Sequence, residues 1–324
     1  MGMVVNGEWQ DHTSEAATPN VDAKSRSTRN NRAGEFVRSA STFRHWLGDP
    51  ETPYSIESSR YHLFVNAGCP WAYRTILYRA IKGLENIVTI SYTEAGAGPQ
   101  GWTFGDLDEP LVGAKHMHHV YSHASPTFTG RATVPVLWDK QTATIVNNES
   151  ADIIRMFNSV FDDLDGVTKL DYYPTQLATE IDTLNEEIYN NINNGVYRCG
   201  FAQAQAAYDE AFELLFASLD RLDTRLAKHR FLCGDSITEA DWRLFSTLVR
   251  FDLAYYGQFK CNRNLLSAFE NLWPYTRDLY QTPGVAKTVD IAAIKGIYYG
   301  SRAPRILPQG PLIDFSAPHK RSAL

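Results

Sequence analysis

Cys69 is the residue whose surroundings most clearly invite chemistry. It lies in Gly68-Cys69-Pro70-Trp71-Ala72, where a short apolar run, Tyr61-His62-Leu63-Phe64-Val65-Asn66, hands over to a helical pattern. A sulfur at a helix N-terminus meets converging backbone N–H groups and the positive end of the helix dipole. That setting predicts a lowered thiol pKa and a working population of thiolate, the nucleophilic form. Three residues on stands Ala72, so the resolving cysteine of a Cys-x-x-Cys pair is missing. A mixed disulfide on Cys69 must then be discharged by an external thiol. Cys199, Cys233 and Cys261 are too scattered for a disulfide framework or a zinc knuckle and read as structural thiols.

The elements needed to hold such a sulfur follow in order. Residues 70–82 carry Ala72, Ile76, Leu77 and Ala80 on one side; Pro70 suits the first turn and Lys82-Gly83 ends the pattern. Ile87-Val88-Thr89-Ile90 is a second strand, completing a strand–helix–strand unit with parallel strands. A short helix is expected over 114–122. Val134-Pro135-Val136-Leu137-Trp138 and Thr144-Ile145-Val146 read as two more strands, with Asn148 capping a helix to Asn158. This order is that of a thioredoxin-like α/β domain. Proline inside a strand is unusual, and a cis Val134–Pro135 bond resolves the conflict by turning backbone toward a ligand. Val134 with Pro135 can then pair with a peptide. Glu149 and Ser150, at the next helix start, offer a carboxylate for an ammonium, and a hydroxyl with N–H groups for a carboxylate. With a lone nucleophilic thiol, these groups point to glutathione.

Beyond about residue 170 the strand signal stops. Helical patterns occupy 174–194, ending before Gly195, and 204–229. Thr238 is the expected N-cap of the next helix, with Asp241 at N3 and Ile237 and Trp242 as the hydrophobic staple. That helix runs through Asp252, and Arg250 and Asp252 within it suggest a buried pairing or a capping arrangement. Two more helical stretches follow, 264–280, broken near Pro274, and 283–291. The expected layout is an extension over 1–60, largely loop, with Phe36, Phe43 and Trp46 as anchors. A thioredoxin-like glutathione-binding domain over 61–165 follows, then an all-helical substrate domain over 166–300 and an extended tail over 301–324. His116, His118, His119 and His123 cluster locally without a carboxylate–histidine motif, and read as a solvated surface rather than a metal site.

Composition narrows the function classes. The 324 residues are 44% hydrophobic and 21% charged, enough to bury a core. With 31 basic against 37 acidic residues the net charge is -6, and no basic run offers a nucleic-acid surface. No apolar stretch approaches the roughly 20 residues that cross a bilayer. The first residues, MGMVVNGEWQDHT, lack the apolar region of a secretory signal. The expectation is a soluble, cytoplasmic protein.

Several strings together resemble a known family. They are Asn66-Ala67-Gly68-Cys69-Pro70-Trp71-Ala72, Gly101-Trp102-Thr103-Phe104, Gly130-Arg131-Ala132-Thr133-Val134-Pro135-Val136-Leu137-Trp138 and Asn148-Glu149-Ser150. Asp241-Trp242-Arg243-Leu244-Phe245 through Arg250-Phe251-Asp252 to Phe259-Lys260-Cys261-Asn262 is the most distinctive. The chain resembles the cysteine-type glutathione transferases, specifically the xi class of glutathionyl-hydroquinone reductases. The resemblance implies a glutathione-transferase fold and glutathione-dependent reduction of glutathionylated quinols through a Cys69–glutathione mixed disulfide, without metal. It implies that Trp102, Arg131, Val134, Glu149 and Ser150 hold glutathione, that Pro135 is a structural cis-proline, and that Tyr197, Tyr298 and Tyr299 line an aromatic substrate pocket. It also implies a homodimer. Departures from the family pattern fall at Tyr73, Tyr256, Gln258, Ile297 and Arg302, and bear on substrate range more than on thiol chemistry. Two other readings stay open: an omega-like thiol transferase or dehydroascorbate reductase, and a non-catalytic carrier of hydrophobic ligands.

Overall fold

The computed structural model describes residues 2–11, 30–31, 33–94, 96, 98–105, 111–300 and 306–323. The sheet that carries the site is built from β3 (Tyr61–Val65), β4 (Thr89–Tyr92), β5 (Val136–Asp139) and β6 (Thr144–Asn147), in spatial order β4-β3-β5-β6. β4 runs parallel to β3, while β5 and β6 are antiparallel to their neighbours. Every residue of β3 is buried, as befits a central strand without a solvated face. Helix α1 (Pro70–Ile81) links β3 to β4 and packs on α3 (Ser150–Ser159), while α2 (Met117–Ala124) lies beside β6. Gly83, at a φ of 70°, takes the left-handed turn that stops α1. This is the thioredoxin-like order expected from the sequence.

Several local expectations need correction. β5 begins at Val136, so Pro135 precedes the strand and removes no ladder bond; the Val134–Pro135 peptide is cis. The cap of α3 is Glu149, whose carboxylate accepts the N–H of Ala151 at 3.1 Å. Asn148 instead bonds the N–H of Phe43 and the hydroxyl of Tyr121. The segment before β3 is less loop-like than expected, since β1 (Met3–Val5) and β2 (Glu8–Gln10) form a hairpin. His118 is not solvated: it is buried with its ring stacked on Trp9, centroids 4.7 Å apart. Among the described residues no three metal-binding side chains converge. Phe36 and Phe43 do anchor the extension, whereas Trp46 is 39% exposed.

The helical half comprises α4 (Ala178–Glu187), α5 (Gly195–Phe201), α6 (Gln205–Leu226), α7 (Glu239–Arg250), a single turn α8 (Tyr256–Gln258), α9 (Leu272–Gln281) and α10 (Ile291–Tyr299). Helix α4 passes into a π-helical stretch, Ile188–Asn193, and Gly195 opens α5 rather than ending a helix. A second π stretch, Phe251–Tyr255, extends α7. Pro274 sits in the first turn of α9, where proline breaks nothing, and only a 3-10 turn precedes it. The last helix lies at Ile291–Tyr299, beyond the expected 283–291, capped by Asp290 on the N–H of Ala293. The Thr238–Asp241 capping box forms as expected. No helix among the described residues is long and apolar enough to cross a membrane. The Ser301-Arg302 step lies outside the described residues.

Candidate active site

Cys69 is the N-cap of α1, with Pro70 at the first helical position, and is 6% exposed. The loop before it is shaped by Asn66, whose side-chain oxygen accepts the N–H of Gly68 at 2.9 Å and whose carbonyl accepts that of Cys69 at 3.2 Å. The thiol donates weakly to the carbonyl of Val134 at 3.9 Å, which brings the cis Val134–Pro135 segment against the sulfur. Gly68 is required here. A Cβ on it would stand 2.4 Å from the carbonyl oxygen of Ala293, because α10 presses directly on the loop.

The electrostatics of Cys69 differ from the sequence expectation. Burial pushes the thiol above its ordinary value; the backbone N–H groups of Ala72 and Trp71 and the guanidiniums of Arg250 and Arg38 pull it down without prevailing. The helix N-terminus acts in the direction foreseen, but desolvation is the larger effect.

Tyrosine hydroxyls converge on the same side. The hydroxyl of Tyr298 hydrogen-bonds those of Tyr197 at 2.9 Å and Tyr255 at 2.8 Å. Burial, then the proximity of Cys69, raises the pKa of Tyr197, and burial holds Tyr255 and Tyr298 well above the usual phenol value. All three stay protonated. Tyr299 does not join them: its hydroxyl lies beside Gly257 and bonds backbone at Gln258. Neighbouring residues on an α-helix point about 100° apart, which is why the two hydroxyls meet different partners.

Ser150 is tied to the site through α1. Arg74, fully buried, donates to Asn193 at 2.6 Å and to the Ser150 hydroxyl at 3.4 Å. Asn193 continues to the carbonyl of Arg243 and the hydroxyl of Thr247. The Glu149 carboxylate, besides capping α3, accepts the hydroxyl of Ser41 at 2.9 Å. Trp102, half-buried, and Arg131 lie on separate loops, one leading to α2 and the other to β5. Cys199 and Cys261 are buried side by side, and Asp252 caps the turn at Leu266 rather than pairing with Arg250.

Sequence reasoning missed three neighbours of the sulfur. Tyr255 lies in a π stretch whose register no 3.6-residue period announces. Arg38 comes from the extension: its guanidinium lies 4.5 Å from the Trp71 ring and 5.0 Å from that of Tyr197, and its Nε bonds Asn194 at 3.1 Å. Arg250 was visible as a charge within an otherwise apolar helix, though its partners were not.

Comparison with known proteins agrees with this geometry. The glutathione S-transferase N-terminal domain model matches residues 68–160, and the C-terminal domain model matches 205–278. The chain is 44% identical to glutathionyl-hydroquinone reductase YqjG of Escherichia coli (strain K12), over 99% of this chain and 98% of that one. The glutathione-bound structure of YqjG superposes with a TM-score of 0.83 at 45% identity, covering 86% of this chain and 96% of that chain. Identity to glutathionyl-hydroquinone reductase PcpF of Sphingobium chlorophenolicum is 43%, over 96% of this chain and 95% of that protein. A xi class glutathione transferase from Natrialba magadii matches with a TM-score of 0.88 at 41% identity, covering 100% and 97% of the two chains. The chain therefore belongs to the glutathione S-transferase family, in its xi class of glutathionyl-hydroquinone reductases.

Proposed function

We propose that this protein reduces glutathionyl-hydroquinones to free hydroquinones, with glutathione as co-substrate and Cys69 as nucleophile. The observation that carries the reading is the meeting of a lone thiol at a helix N-terminus with the linked hydroxyls of Tyr197, Tyr298 and Tyr255. One group suits sulfur chemistry and the other suits an aromatic diol.

In this mechanism the quinol seats against the phenols, and its sulfur-bearing ring carbon takes a proton. The Cys69 thiolate attacks the glutathione sulfur, the carbon–sulfur bond breaks, and its electron pair returns to the ring as hydroquinone leaves. A glutathione thiolate then attacks the Cys69–glutathione disulfide, releasing oxidised glutathione and restoring Cys69. Overall, one thioether and one thiol become a ring C–H bond and one disulfide. Trp102, Arg131, Val134, Glu149 and Ser150 are assigned to holding the glutathione peptide, with Val134 supplying backbone beside the sulfur. Tyr298, rather than Tyr299, is assigned to the quinol. The reading includes a cytoplasmic homodimer, checked by size-exclusion with light scattering and by localisation of a tagged chain.

The test is turnover of glutathionyl-menadione against a simple glutathione mixed disulfide, with intact mass after exposure to oxidised glutathione. Quinol release and a single adduct on Cys69 are expected. Turnover of the disulfide alone would identify an omega-like thiol transferase instead, and full activity of Cys69→Ser would remove the thiolate mechanism.

A further inference from the structure

Arg250 closes α7 and is fully buried. Its guanidinium donates three hydrogen bonds, all to backbone carbonyls: to Gly68 at 3.0 Å, to Ala67 at 3.2 Å and to Ser246 at 2.9 Å. Two of those carbonyls belong to the loop that ends in Cys69. The other face is covered by Tyr73 of α1, its ring centroid 4.5 Å from the guanidinium carbon. A buried arginine ordinarily meets a carboxylate, because an uncompensated charge in a low-dielectric interior costs several kcal/mol. Here Asp252, two residues on, gives its carboxylate to the backbone N–H groups of Leu266 and Ser267.

The groups around the sulfur make the arrangement intelligible. Tyr73 on α1, Tyr197 on α5, Tyr255 beyond α7 and Tyr298 on α10 all carry phenols raised by burial, so none supplies a negative charge. Arg38 from the extension adds a second cation, which acts on the thiol less strongly than Arg250 does. Cys69 is thus the one group in this cluster that becomes an anion in the working cycle. Helix α10 also presses on Gly68, so the loop is held by both α10 and Arg250.

We propose that Arg250 is the positioning residue of the nucleophile: it fixes the Ala67 and Gly68 carbonyls, and its charge, unmatched by any carboxylate among the described residues, is the counterion of the Cys69 thiolate. The proposal rests on Cys69 being the nucleophile, and it is tested on the sulfur itself rather than on turnover. The rate of Cys69 alkylation by iodoacetamide, assigned by peptide mass, is followed from neutral to alkaline pH in the full chain. Arg250→Gln keeps a donor and removes the charge; it should slow alkylation about tenfold at fixed pH below the midpoint, a rise of about one pH unit. Arg250→Lys keeps the charge and should titrate close to the parent protein.

A purely structural role would lower the melting temperature of both variants and leave both midpoints unmoved; that result overturns the proposal. Should Arg250→Gln fail to fold, Tyr73→Leu removes the ring that holds the guanidinium in place. Its midpoint must then rise, and an unmoved midpoint rejects the idea. Failure of the parent protein to reduce glutathionyl-menadione would count against the substrate assignment alone, since the alkylation profile is read independently.

Discussion

A phenol buried among aromatic rings is a poor acid but a durable hydrogen-bond donor. Tyr298 is such a group, 7% exposed and bonded on both sides by other hydroxyls. Tyr298→Phe should therefore cut turnover of glutathionyl-menadione about 100-fold, the scale of a lost preorganised hydrogen-bond donor. It should leave formation of the Cys69–glutathione adduct from oxidised glutathione unchanged; equal losses in both assays would deny the tyrosine a part in quinol chemistry. The sulfur's pH dependence has a definite sign. Since burial raises the Cys69 thiol, the thiolate fraction at neutral pH is small and grows with pH up to a midpoint above that of a free cysteine. Alkylation of the ligand-free protein should climb about tenfold per pH unit through neutrality, whereas a plateau already reached near neutral pH would mean the helix N-terminus outweighs desolvation. At this scale the sequence was legible where one local string held the information, as in residues 68–72. The cost of burying Cys69 was not, because it is imposed by α10 and Tyr197, distant in the chain.

The starts of α1 and α7 were readable because capping is local. Thr238 and Asp241 form the expected box, yet Asp241 does far more than cap. Its carboxylate accepts the N–H groups of Leu232 and Thr238 and the hydroxyls of Thr238 and Tyr275, all between 2.7 and 2.8 Å, and it is fully buried. Thr238→Ala should cost about 1 kcal/mol. Asp241→Ala strands several buried donors and should cost about 4 kcal/mol, at roughly 1–3 kcal/mol for a buried group left unpaired. Urea midpoints compare the two, and similar losses would show the network to be no more than a cap. Helix α10 was misplaced because its nine residues, Ile291–Tyr299, are apolar nearly all round and carry no face to read, although Asp290 before them was a usable start signal. The π stretches at Ile188–Asn193 and Phe251–Tyr255 were illegible for a sharper reason. They shift the register inside a helical run, and a reading at a fixed period of 3.6 residues carries no local signal for where that shift falls.

At the scale of the whole molecule, the segment before β3 is the surprise. Its sequence is polar and weakly periodic, which makes it read as an extension, largely loop, with Phe36, Phe43 and Trp46 as anchors. Its described residues in fact run across both halves. Asn30 bonds the carbonyl of Phe201 at 2.7 Å, Phe36 stacks on Phe201, Ser41 reaches Glu149, and Arg60 forms a buried ion pair with Asp139 at 2.7 Å. Between these anchors it sets Arg38 over the rings of Trp71 and Tyr197, where its charge also acts on Cys69. No periodicity could reveal this, because the contacts belong to the surface on which the segment lies. A guanidinium stacked on two rings is worth about 1–2 kcal/mol where water is excluded. It also brings positive charge toward an anionic peptide substrate. Arg38→Gln should therefore raise KM for glutathionyl-menadione about tenfold while kcat changes little, that being the signature of binding lost equally from ground and transition states. Arg38→Lys should recover only part of the loss, since an ammonium keeps the charge but not the flat face that meets Trp71. If kcat fell and KM held, the pull of Arg38 on the Cys69 thiol would outweigh its part in binding, and the extension would belong to the thiol chemistry more than to holding the substrate.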